Sequence, residues 1–253
     1  MSAAPFAYSL RYAGITDQGL KRSSNQDELI LAPELGLFGV SDGMGGVAFG
    51  DIAAKYVSQA LPLMVGNTEA ALCENAGEQE LENVLRAALN TVSDALYNHQ
   101  KTHGTRCGAT VAAVQLSGEQ AYFLWLGDSR GYLLPKYKKT LRPMTKDMNL
   151  AGLLVELGEI TPEEAKTSPL SSQLTAFVGM TSPAEAAVNA VKVRPGDRLL
   201  LCSDGLYSML EDREIVRILR SSRNPETVCR RLVDAANAAG GRDNISAVYI
   251  RIV

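Results

Sequence analysis

The stretch ATVAAVQLSGEQAYFLWLGDSRGYLL, residues 109–134, decides the fold class. Apolar, β-branched and aromatic residues fill Ala109–Leu116, Ala121–Leu126 and Gly131–Leu134, and a fourth run follows at Thr140–Arg142. The breaks between them are a few residues long and carry glycine, aspartate or proline, which are turn signals. Parallel neighbours need a crossover of a dozen residues or more, so these runs must be antiparallel, and their spacing predicts a meander. Upstream, Tyr8–Ile15, Glu28–Leu31 and Leu35–Ser41 also read as strands. A helix is expected from about Ala48 to Met64. A second has Leu81, Val84, Leu85, Ala88, Leu89, Val92, Ala95 and Leu96 at three- and four-residue spacing and stops at Gly104. Downstream, Met148–Gly158 reads as a short helix, and Thr161-Pro162-Glu163-Glu164 as a capped helix start. Strands follow at Ala187–Val193 and Arg198–Cys202, helices at Asp212–Arg220 and Pro225–Ala239, and a last strand at Ile245–Val253. Strands and helices do not alternate as βαβ units. The pattern predicts an α+β fold, antiparallel sheets with helices packed outside them, and no linker divides residues 1–253 into more than one domain.

The remaining composition narrows the class. With 253 residues, 46% hydrophobic and 21% charged, the chain is an ordinary globular sequence, and roughly three quarters of its surface can be buried on folding. A net charge of −3 argues against a nucleic-acid partner. The opening MSAAPFAYSLRY lacks the basic and long apolar regions of a signal peptide, and the apolar run Ala121–Leu126 is far short of the ~18 residues a membrane span needs. Cys73, Cys107, Cys202 and Cys229 form no CxxC pair, which predicts reduced, mostly buried thiols and a cytoplasmic location.

The chemistry lies in the aspartates. Leu37–Ser41 runs into Asp42-Gly43, Leu199–Ser203 into Asp204-Gly205, and Tyr122–Gly127 into Asp128-Ser129. Asp27 directly precedes Glu28–Leu31, and Asp243 precedes Ile245–Val253. Any single Asp-Gly is an ordinary turn signal. Carboxylates gathered at strand ends repel unless a cation sits between them, and all-oxygen ligands suit magnesium, manganese or calcium. A carboxylate shared by two such ions is the arrangement used for in-line displacement at phosphorus. Two other patterns fail. Gly43-Met44-Gly45-Gly46-Val47-Ala48 fits a dinucleotide fingerprint, but Asp42 would face the pyrophosphate and a second helix follows in place of a parallel strand. His99 and His103 share a helical face, yet no third ligand accompanies them, so they read as surface residues near a helix C-terminus.

Six segments, in order, resemble the metal-dependent serine/threonine phosphatases (PPM, or type 2C) in their compact bacterial form: Arg22–Asp27, Val40–Gly46, Gly108–Thr110, Leu126–Arg130, Cys202–Leu206 and Arg242–Ser246. The resemblance implies two antiparallel sheets packed as a sandwich with helices on both outer faces. It also implies two Mn²⁺ or Mg²⁺ ions, with a weaker third site. Carried over, Asp42 bridges both core ions and the Gly43 carbonyl joins one. Asp204 and Asp243 hold the other, Asp27 supports the first, and Asp128 with Asp204 forms the third site. Arg22 grips the substrate phosphate, and Asn244 orients Asp243. A metal-bridging water then hydrolyses phosphoserine or phosphothreonine on proteins without a phosphoenzyme. The resemblance further implies a monomer opposed by a Ser/Thr kinase.

Three departures from the family pattern stand out. Met44 replaces a histidine that could serve as general acid, Gln26 replaces a glutamate, and the flap position, about 145–179, lacks the family's histidines. The rival readings are a catalytically weak phosphoprotein-binding module on the same fold and a Ca²⁺-binding structural protein. A lost aspartate would signal the first, and Asp27, Asp42, Asp204 and Asp243 are all present; the second would want a D-x-D-x-D-G loop, and none occurs.

Overall fold

The computed structural model describes residues 6–44, 50–69 and 77–253. Eleven strands and seven helices follow in chain order: β1 (Leu10–Asp17), β2 (Asp27–Ala32), β3 (Leu37–Met44), α1 (Gly50–Glu69), α2 (Glu78–His103), β4 (Gly108–Ala109), β5 (Val111–Ser117), β6 (Gln120–Leu126), β7 (Arg130–Leu134), β8 (Arg142–Pro143), α3 (Leu150–Glu156), α4 (Pro162–Thr167), β9 (Ala187–Lys192), β10 (Arg198–Cys202), α5 (Asp204–Tyr207), α6 (Asp212–Leu219), α7 (Pro225–Ala238) and β11 (Ile245–Ile252). One sheet has the order β1-β11-β10-β7-β8. The other runs β2-β3-β5-β6-β9, with β4 beside β3. Every strand pair is antiparallel.

The strands are apolar on successive residues because both faces of each sheet are covered. In β5, Ala112 and Val114 face the other sheet and meet Leu199, Leu201, Val248 and Ile250. Val111 and Ala113 point the opposite way, toward Val57 and Leu61 of α1 and Leu85 and Leu89 of α2. In β10, Leu199 and Leu201 point inward, while Leu200 and Cys202 join Ile215, Leu219, Leu232 and Val233 of α6 and α7. The result is a four-layer α+β sandwich, as the family resemblance implied.

Local signals account for most element ends. The α2 stripe buries Leu81, Leu85, Ala88, Leu89, Val92 and Leu96, and Gly104 ends it at φ +66° with its N–H on the Gln100 carbonyl. Thr161 and Glu164 form the capping box, with Pro162 in the first turn. Cys107, Cys202 and Cys229 are free thiols, and the latter two are buried. Cys73 and Gly45–Ala48 lie outside the described residues. His99 and His103 are exposed and stack at 4.2 Å between ring centroids.

One expectation changes. The run 109–142 is not one meander: β5 and β6 form a hairpin, but β7 and β8 belong to the opposite sheet. The Gly127-Asp128-Ser129 connection is therefore a crossing between layers, made by Gly127 at φ +115°. The Asp-Gly pairs do not serve as ordinary turns. Asp42 and Gly43 lie inside β3, and Asp204 and Gly205 form the first turn of the short α5.

Candidate metal centre

Asp27 and Asp42 sit directly opposite one another across β2 and β3. The Gly43 N–H donates to the Gln26 carbonyl at 3.1 Å, so the neighbouring Asp27/Asp42 pair is of the non-hydrogen-bonded kind, whose side chains stand closest. Two like charges in that position destabilise a sheet. Each glycine beside an aspartate is needed for close chain approach. A Cβ on Gly43 would lie 2.0 Å from the Gly50 carbonyl oxygen, and one on Gly205 would lie 2.0 Å from that of Asn244. The Gly43 carbonyl faces Gly50 at the start of α1.

The opposite sheet delivers the other acids to the same end. The Ser203 hydroxyl, at the end of β10, donates to Asp27 Oδ2 at 2.7 Å and accepts from the Ser246 N–H at 3.0 Å, tying β2, β10 and β11 together. Asp204 follows Ser203, and Asp243 precedes β11 by two residues. Asn244 acts differently from the expectation. Its side chain accepts from the Gln26 N–H and donates to the Gln18 and Ser24 carbonyls, so it clamps the loop before Asp27. Only its backbone N–H reaches Asp243, at 2.8 Å.

Among these acids only Asp243 has an internal countercharge, from Arg22. Asp27 is buried, and its Oδ1 has no hydrogen-bond partner. Burial pushes its carboxyl up to about 6 against the hydroxyl bonds that favour the anion. Solvent reaches part of Asp42, Asp204 and Asp243, but protein crowds their other sides. Burial, and then Asp27, Asp204, Asp243 and Asp128, raise Asp42 well above the ordinary carboxylate range. Burial, Asp128 and Asp243 bring Asp204 to about 7, and Arg22 offsets little of that. Arg22 is itself half-exposed and pairs with Asp243 Oδ2 at 2.6 Å. The expected phosphate grip and an expected metal ligand are thus in contact with each other.

Asp128 is buried two residues after β6, with Asn149 Nδ2 at 3.4 Å from its Oδ2 and the Tyr207 hydroxyl donating to its carbonyl at 3.0 Å. Burial and Asp147 raise it to about 6. Beside it, Arg130 grips Asp147 with two bonds of 2.8 and 2.6 Å and lies 3.6 Å over the Tyr207 ring. Arg130 and Ser203 stand inside the family-like motifs, but the motifs themselves point to no role for either. A cation opening the apolar run Arg130–Leu134, which must be buried with it, was the available signal for Arg130.

The donor set suits hard divalent cations: carboxylates short of protons' or cations' charge, one orphaned buried oxygen, and no nitrogen or sulfur ligand. Among the described residues no three His, Cys, Asp or Glu side chains form a complete cage. Ions of the Mg²⁺ type bind through one or two carboxylates and keep several waters, so a spread set fits them.

Residues 21–240 match the family model described as Protein phosphatase 2C. The chain is 33% identical over 247 residues to the serine/threonine protein phosphatase PstP of Mycobacterium tuberculosis, covering 96% of this chain and 45% of PstP. It therefore spans about half the length of that relative. It is 33% identical to the serine/threonine phosphatase stp of Listeria monocytogenes over 213 residues, 83% of this chain and 82% of stp. The crystal structure of the PstP catalytic domain in complex with two manganese ions superposes with a TM-score of 0.81 at 32% identity, covering 96% of this chain and 98% of that one.

Proposed function

The chain belongs to the protein phosphatase 2C family, and from that premise we propose that it hydrolyses phosphoserine and phosphothreonine on proteins with divalent cations held at the acid end of its sandwich. The observation that carries this reading is the opposed Asp27/Asp42 pair, joined from the other sheet by Asp204 and Asp243, with Arg22 its half-exposed cation. In this reading Asp42, the Gly43 carbonyl, Asp27, Asp204 and Asp243 would together hold the two core cations. Asp128 adds a weaker third site with Asp204. When bound, the cations supply Lewis-acid charge and a water acidified for in-line attack at neutral pH.

The protein's own residues do the rest. The carboxylates stand on or within two residues of hydrogen-bonded strands, so little ordering is left to complete the site. Arg22, paired with Asp243 at 2.6 Å, would offer its planar fork to two phosphoryl oxygens of the substrate. Charge that builds on those oxygens is met by the guanidinium. The P–O bond to serine or threonine breaks as the bond from water forms, and the products are the free hydroxyl and inorganic phosphate. Met44 has no proton to give the departing oxygen, so leaving groups that need no acid, such as aryl phosphates, react with least difficulty.

Residues 1–253 work as one catalytic unit in this proposal, a monomer in the cytoplasm, with the 145–179 segment as a flap beside Asp128. No described helix is long and apolar enough to cross a membrane. Phosphoprotein substrates require a protein kinase that makes them, and that kinase is the implied opposing partner. Hydrolysis of p-nitrophenyl phosphate and of a phosphothreonine peptide tests the reading. Both activities should vanish in EDTA and return with Mn²⁺, and full activity in chelator would overturn it.

A further inference from the structure

The two-residue strand β4 pairs with the end of β3, Met44 opposite Gly108 and Gly43 opposite Ala109. Met44 lines a groove of about 580 Å³, whose other walls include Tyr97 and Lys101 of α2, Arg106, Phe177 and Met180. This volume is in the range that holds several side chains of a ligand.

The walls are built and held. The Gln100 side chain spans them, donating to the Gly179 carbonyl at 3.0 Å and accepting from the Cys107 N–H at 2.9 Å. Ala109 and Val178 exchange both backbone hydrogen bonds, at 3.3 and 2.8 Å. The Gly179 N–H donates to the Ser93 hydroxyl at 2.9 Å. At Gly108 a Cβ would lie 2.5 Å from the Phe177 ring, so only glycine lets the ring form this wall.

The charge of the lining is one-sided. Lys101 and Arg106 are exposed, and among the described residues neither has an acidic partner. No carboxylate is among the described lining residues, in a chain whose net charge is −3. Unpaired cations over an apolar floor, beginning two residues from Asp42, complement an acidic chain with apolar side groups.

The geometry points to this groove as a substrate-docking channel for phosphopeptides that carry acidic and apolar residues on one side of the phosphorylated residue. This rests on the phosphatase reading and adds to it the substrate class. The phosphoryl group is held at the aspartates, the flanking chain extends past Met44, its apolar side chain lies against Phe177 and Met180, and its carboxylates face Lys101 and Arg106. Exposed pairs are individually weak, so two of them set a preference, and salt reduces it.

Phosphothreonine peptides with Asp/Glu, Ala or Lys flanks on either side are compared on the wild-type protein and on the Lys101→Glu/Arg106→Glu double variant, with p-nitrophenyl phosphate as control. The wild type should prefer an acidic flank over a basic one by about five- to tenfold in kcat/KM, on one side of the phosphothreonine only. The variant should invert that preference, while p-nitrophenyl phosphate turnover stays within about twofold because neither residue touches the aspartates. Equal rates on all flanks, or a variant that loses acidic and basic peptides alike, would overturn the channel. A binding arm, fluorescence anisotropy of the same peptides, reads the groove apart from turnover. Flank-dependent binding without hydrolysis of any substrate would keep the groove and remove the phosphatase reading. Hydrolysis with flank-independent binding would do the reverse. Displacement of the acidic peptide by a short polyuridine at equal charge would assign a general polyanion surface and also overturn the proposal.

Discussion

Two groups of largely enclosed acid lie at one end of the sandwich and are balanced in opposite ways. Asp147 is held by Arg130 through two short bonds, with the guanidinium also over Tyr207. Burial works against the charged form of Arg130, and the Asp147 carboxylate overrides it and keeps the guanidinium protonated. Asp27, Asp42 and Asp204 have no such partner, and burial pushes each of them up, with Asp243 adding to it at all three. The protein thus has the means to neutralise a buried acid internally and does so a few residues from a cluster where it does not. Protons can neutralise that cluster at low pH, and in the proposed function divalent cations do so at neutral pH. An internally satisfied cluster supports the fold, whereas an unsatisfied one weakens the fold until its ligand binds.

That contrast can be broken most decisively at Asp42. Asp42→Asn should lower phosphatase turnover by more than about a thousandfold, over ~4 kcal/mol of transition-state stabilisation. In chelator at pH 8 the same change should raise the Tm, because one of two opposed charges is gone. A variant that keeps its turnover, or loses stability in chelator, would place Asp42 in the satisfied class.

Arg130→Leu tests the other side. It leaves Asp147 without its cation and should cost about 2–4 kcal/mol, discounted because the pair retains some exposure. For a chain of this length that is roughly 5–15 °C in Tm, and it should appear equally in chelator and in Mn²⁺. A loss seen only in Mn²⁺ would tie Arg130 to the metal centre instead.

The pH dependence of stability sharpens the comparison further. Asp27 and Asp128 at about 6, and Asp204 at about 7, bind protons more tightly folded than the ~3.9 expected unfolded. Their stabilisation is complete below the unfolded value and is lost as pH rises through the folded ones. In chelator, therefore, Tm should fall between about pH 4.5 and 7.5. With Mn²⁺ the slope should flatten or reverse, since the cation binds the deprotonated carboxylates. A flat profile in chelator, measured by calorimetry, would mean the acids are satisfied by groups within the fold.

The smallest effect on stability belongs to Arg22, whose pair with Asp243 is half-exposed. Arg22→Ala should change stability by less than about 1 kcal/mol and leave Mn²⁺ affinity near wild type by titration calorimetry. KM for p-nitrophenyl phosphate should rise about tenfold or more, the signature of lost phosphate binding. A large drop in Mn²⁺ affinity would make Arg22 a structural support of the metal centre.

Where information was local, the chain was readable without coordinates. The α2 stripe needs only a 3.6-residue period, and the Thr161–Glu164 capping box only four consecutive residues. The antiparallel class follows from connections too short for a crossover, and the aspartates are visible as acids beside apolar strands. The sheet to which a strand belongs is not local. β7 looks like the next strand after β6, yet a single glycine at φ +115° sends it to the other layer, where β10 is its partner. The glycines beside the acids are a similar case: Gly43 and Gly205 answer to the carbonyls of Gly50 and Asn244, which only the folded chain brings within contact.

The sequence by itself determined the α+β class, the helix caps and the identity of the acids, because period, turn chemistry and residue type act over a few residues. Tertiary structure alone decided which acids are left without countercharge. The Asp27/Asp42 opposition depends on strand register, the Ser203–Asp27 bond joins residues 176 apart, and the Arg130–Asp147 pair forms only when the 145–179 segment packs beside β7. A carboxylate's proton affinity is set by everything within a few ångströms of it, and most of those neighbours are distant in the chain.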